Sequence, residues 1–181
     1  MPKSAPDGRT KMLFELIAVV TAGFLGGGLA LISRRLVRVL PRWAVPVAAG
    51  CGMLGVAISL EYSWFGRTSE ALPMGVEVAL THEAKAPWRP WTYAYPYVDR
   101  FIAVDRSSIL THENAPGQRL ADLFVFARWQ RTAHVKAVFD CEAGRRADIT
   151  GATRLGEDGS LDGATWYDTG ADNPVARRVC A

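Results

Sequence analysis

Any chemistry this chain performs must be drawn from few residues. Its three histidines are His82, His112 and His134, and two of them sit in a repeated Thr-His-Glu, at Thr81-His82-Glu83 and Thr111-His112-Glu113. Imidazole and carboxylate side by side can ligate zinc, so His82 and His112 at two strand ends could in principle share one ion. A zinc-protease helix needs His-Glu-x-x-His, and neither copy has the second histidine. Asp105, Ser107, Ser108 and His112 hold the residue types of a nucleophilic triad, but closeness in sequence is not triad geometry. There is no Gly-x-Ser-x-Gly elbow, phosphate loop, dinucleotide fingerprint or Cys-x-x-Cys. The sequence therefore points to no catalytic residue, no metal and no cofactor. The alternative is a membrane-tethered envelope enzyme, metal-dependent through His82 and His112.

The run 88–97 offers recognition chemistry instead. It reads Trp-Arg-Pro-Trp-Thr-Tyr-Ala-Tyr-Pro-Tyr, with five aromatic residues in ten. Trp91, Tyr93, Tyr95 and Tyr97 alternate, so as a strand they would line one face. That face is either the core of a sheet or, together with Trp88 and Arg89, a surface against headgroups or a partner protein. Stacking nucleic-acid bases would need a basic surround. Residues 1–64 carry seven Lys/Arg and three acids, and the remainder carries 14 basic and 15 acidic residues. The net charge of +3 thus belongs to the N-terminal part, and no nucleic-acid partner is expected.

The elements that must position these residues fall into two kinds. Residues 12–33 and 43–64 each hold a single charge, Glu15 and Glu61. Each is about long enough, at 1.5 Å per residue, to cross a ~30 Å hydrocarbon layer. Trp43 at one end and Tyr62, Trp64 and Phe65 at the other fit the two interfaces. The first run is too long for a signal peptide and ends on no cleavage site. The connector 34–42 carries four Arg and no acid, which holds it in the cytoplasm and sends both termini outside. Glu15 and Glu61 then lie on the same side, within about a turn of the interface and solvated there.

Small residues repeat at helical spacing: Gly23 and Gly27 in the first span, Ala48 and Gly52 in the second. Such stripes admit close backbone approach, either between the two helices of the hairpin or against another subunit.

Beyond a tail at 1–11, the hairpin 12–65 and a linker at 66–74, residues 75–181 read as a β-rich domain. The strands expected are 75–80, 91–95, 100–104, 120–129, 135–140, 145–150 and 163–167, with a turn at 156–159. Asn173-Pro174 is a helix start, with Asn as cap and Pro in the first turn. The fold class is α+β: a two-helix transmembrane hairpin, then a small antiparallel sheet with a short C-terminal helix. Cys51 lies within a span, which leaves Cys141 and Cys180 in the domain. In an oxidising compartment these two should pair and close a loop of about 40 residues, worth roughly 3–4 kcal/mol by chain entropy. On the cytoplasmic side they would be two free thiols.

The stretch 102–181 resembles the surface-adhesin E-like domains, small bacterial envelope modules. The resemblance is carried by Val104-Asp105 followed by Ser108-Ile109, by Asp140-Cys141 with Arg145-Arg146, and by a glycine turn, Trp166 and the final Val179-Cys180. It implies a disulfide between Cys141 and Cys180 and an extracytoplasmic address, and it brings no catalytic residues. The function expected is a non-catalytic accessory or interaction protein of the bacterial inner membrane with its domain in the periplasm. Its expected contacts are the lipid bilayer and another membrane protein or complex, through Gly23, Gly27, Ala48 and Gly52 and through Trp88, Trp91, Tyr93, Tyr95 and Tyr97.

Overall fold

The computed structural model describes residues 8–37, 40–151, 153–156, 160–170 and 172–181, the side chains of 8–11 and 155 excepted. Arg38 of the connector, residues 1–7 of the tail and 157–159 of the expected turn lie outside the described residues. The chain divides into two compact units, Met1–Trp64 and Phe65–Ala181.

Helix α1 spans Gly8–Leu36 and α2 spans Ala44–Glu70. Both contain stretches long and apolar enough to cross a membrane. Each outruns the span expected. Helix α1 begins within the expected tail, and α2 continues to Glu70, through the first half of the expected linker. Arg34 and Arg35 fall in the last turn of α1, where cations oppose the negative end of the helix dipole. The two helices meet through small residues. A Cβ on Gly26 would stand 2.5 Å from the Ala48 carbonyl oxygen, and one on Gly52 would stand 2.7 Å from that of Ala22. Backbone cannot yield as a side chain can, so glycine is required at both positions. Gly27 faces Ala49, and Gly23 faces the flexible Met53 side chain.

The second unit is built on a six-stranded antiparallel sheet. Its strands in chain order are β1 (Val76–Ala84), β2 (Tyr97–His112), β3 (Ala115–Ala127), β4 (Ala133–Asp140) and β5 (Arg145–Ile149). A two-stranded hairpin, β6 (Arg154–Leu155) with β7 (Leu161–Asp162), follows, and β8 (Trp166–Asp168) returns to the main sheet. The order across that sheet is β1-β2-β3-β4-β5-β8. Gly75, at φ +94°, turns the chain from α2 into β1 through a backbone region open to glycine.

Helix α3, Pro174–Cys180, covers one face of the sheet. The Asn173 side chain accepts from the Val175 and Ala176 amides at its start, satisfying donors left over by the first turn. Val175 and Val179 are buried with Val104, Ala121, Leu123, Ala137 and Phe139 in the main core. At its other end the Arg119 guanidinium donates to the Val179 and Ala181 carbonyls, at 2.8 and 3.0 Å. Cys141 and Cys180 are joined by a disulfide, with their Cα atoms 5.8 Å apart. Phe101, Phe126, Phe124 and His134 form a ladder of rings on the opposite face, and Phe65 of α2 meets Phe101 edge-on at 5.4 Å.

Candidate interaction surface

The alternation in 88–97 predicts a strand over 91–95, and the structure corrects this. Pro90–Tyr93 is a turn of 3-10 helix, and β2 begins only at Tyr97, paired with Ala84 of β1. Prolines explain the difference. Pro90 has no N–H for a ladder and a φ already set for a helical turn, and Pro87 and Pro96 bracket the segment. Thr92 then locks it: buried to 1% exposure, its hydroxyl receives the Ala86 amide at 3.0 Å and donates to the Arg89 carbonyl at 2.7 Å. The aromatic rings are thereby turned outward rather than into a core. Trp88 is 77% exposed and Tyr95 72%, with Tyr93 and Trp91 also exposed and Tyr97 half-buried. The Arg89 guanidinium lies over the Tyr97 ring, 5.7 Å from its centroid.

Sequence reasoning passed over a neighbour. The β3–β4 connection carries Arg128 and Trp129, and the Arg128 amide donates to the Asp99 carbonyl at 2.9 Å. This seats Trp129, 60% exposed, at the same end of the sheet as the 85–96 connection, with the Arg128 guanidinium 4.9 Å from its ring centroid. A Trp between Arg128 and Arg131 in a turn was the available signal.

The small residues named as partner contacts face within the hairpin instead. Gly23 and Gly27 are buried against Met53 and Ala49, and Ala48 and Gly52 make the backbone approach described above. Close packing between α1 and α2 uses them, because residues this small let two helix backbones approach. Glu61, expected to be solvated at an interface, is buried, whereas Glu15 is half-buried.

The histidines do not converge. His82 Nδ1 pairs with Asp99 at 2.7 Å, opposite Arg100 near the start of β2, while His112 closes that strand and accepts the Asn114 amide. Arg100 pairs with Ala127 and Thr111 with Arg119, so eight residues of β3 separate the two ends and put the imidazoles roughly 25–30 Å apart, too far to share an ion. The triad residues serve a break in register instead. Asp105 accepts the Ser107 amide and hydroxyl, and the Ser108 hydroxyl takes the Asp122 amide at 3.0 Å, between the paired stretches on either side. At the β4–β5 turn, the Ala143 amide bonds the Asp140 carboxylate at 2.9 Å. That bond, aided by Arg145 at 3.0 Å, holds the carboxyl below the usual carboxylate range against the opposing effect of burial.

Comparison with protein-family models, with curated proteins and with solved structures finds no match.

Proposed function

We propose that the protein is a non-catalytic, membrane-anchored interaction module. Residues 12–33 and 43–64 cross the bacterial inner membrane as a hairpin, with 34–42 in the cytoplasm and the β domain in the periplasm. There the domain acts as an accessory element, contacting a larger membrane complex or another envelope protein. The observation that carries this reading is the outward-facing aromatic segment, locked by a buried threonine and flanked by arginine. Tyr, Trp and Arg held rigidly lose little entropy on contact, which is why they dominate binding surfaces. The Arg-rich connector supports the topology. The Cys141–Cys180 bridge supports an oxidising compartment, as does the resemblance of 102–181 to surface-adhesin E-like domains.

The test is extraction. The chain should resist a carbonate wash of membranes and leave them in mild detergent together with a partner protein at fixed ratio. Release by the wash, or purification alone from every mild detergent tried, contradicts the reading.

A further inference from the structure

The aromatic end of the sheet has a second property, set by where the chain enters the domain. The second unit begins at Phe65, the residue that follows the aromatic edge of the second apolar span, Tyr62 and Trp64. Phe65 lies on Phe101, four residues into β2. Five residues later α2 ends, and Val76 pairs with Asp105, further along the same strand. Within the second unit, then, the chain is first held opposite Phe101, four residues from the strand end at Tyr97 that adjoins the 85–96 connection and Trp129, and it joins the sheet as β1 further from that end.

We infer that this end of the sheet rests on the lipid surface, with Trp88, Tyr93, Tyr95 and Trp129 as its interfacial anchors. Amphipathic rings prefer the headgroup layer, where an apolar body and a polar edge are both accommodated. Lys85, Arg89, Arg128 and Arg131 outnumber Glu83 and Asp99 at this end, with Arg100 beside Asp99 as a further cation, which suits anionic headgroups within a Debye length of the surface. Two separate connections contribute, 85–96 and 128–132, and both expose Trp beside Arg. The inference rests on the membrane-anchored reading and deepens it: the aromatic segment that carries that reading meets the headgroups, and a membrane partner would join the domain at that same surface.

Depth measurement tests it on the full chain, reconstituted in vesicles of phosphatidylethanolamine and phosphatidylglycerol. With Cys51→Ser as background and the native disulfide kept, nitroxide labels are placed at Trp88→Cys, Tyr93→Cys or Trp129→Cys. Glu113→Cys, in the β2–β3 turn at the opposite end of the sheet, is the reference. The oxygen-to-nickel collision ratio should be several-fold higher at 88, 93 and 129 than at 113, and any one of the three that folds suffices. Equal ratios at both ends overturn the inference. So do labels that are aqueous in vesicles and become immobilised only in native membranes, because that assigns the surface to a protein. A label on Cys51 itself separates the two levels. Deep in the bilayer with an aqueous 88, it removes only the lipid contact; in water, it removes the anchoring and the inference together.

Discussion

The hairpin and the β domain solve packing in opposite ways. In the domain, large side chains such as Phe101 and Phe139 are interior, and short polar turns face out. In the hairpin the order is inverted. Phe24 is 77% exposed and Leu29 65%, while Gly23 and Gly27 are buried, and Gly26 and Gly52 lie against backbone. A chain in water lowers its free energy by hiding apolar area. Helices in lipid have no such drive and associate by close backbone approach. The difference shows why the same apolar content, read without its periodicity, locates neither core. It also sets apart the aromatic end, where Trp88, Tyr93, Tyr95 and Trp129 gather with their rings outside.

Breaking the domain's half of this comparison should give the largest effect. Cys141→Ala or Cys180→Ala should cost about 2–5 kcal/mol, the usual range for a bridge in a small domain, because α3 and its two buried valines are then held by packing, by Arg119 and by the exposed Arg178–Glu77 ion pair. Urea unfolding followed by the β-sheet signal should show it, with the helical signal of the hairpin unchanged. The hairpin's half is broken by Gly52→Leu. The added side chain meets the Ala22 carbonyl, and overpacking of that kind costs about 1–3 kcal/mol. Gly55→Leu, where a Cβ meets nothing within 4 Å, should leave the hairpin intact. Equal loss for both, measured by helical signal in a denaturing-detergent titration, would contradict the assignment of the interface.

Thr92→Val sharpens the exception. It strands the buried Ala86 amide, at about 1–3 kcal/mol, and frees the segment without altering its rings. A small loss of stability should accompany faster amide exchange confined to 85–96. The smallest expected effect concerns acid. The Asp140 carboxyl, held low chiefly by the Ala143 amide, contributes its stabilisation in full above the ordinary value of 3.8, and this is lost as pH falls through the folded value. Asp140→Asn should therefore narrow the gap between urea midpoints at neutral pH and below pH 4, whereas an unchanged gap would remove the assignment.

Both helices, the C-terminal helix with its Asn173 cap, and β1 to β5 were legible because each rests on local signals: an unbroken apolar run, a capping residue, or alternating branched and aromatic residues. Strand lengths were not. The Asp105–Ser108 break in β2 read as an end, although Ser108 bridges it and the strand continues to His112. The 91–95 segment was misread because the period-2 pattern of its rings outweighed prolines that forbid a ladder. Trp129 was missed, since only the register of β3 and β4 brings it beside 85–96. Which face of each helix met the other also depended on partners distant in sequence, as Gly26 with Ala48 shows.

The account depends most directly on where the β domain lies. A reporter active only outside the cytoplasm, fused after Ala181, should be active in cells. A silent fusion paired with an active cytoplasmic reporter at the same position would contradict the topology, and with it the periplasmic setting of the domain.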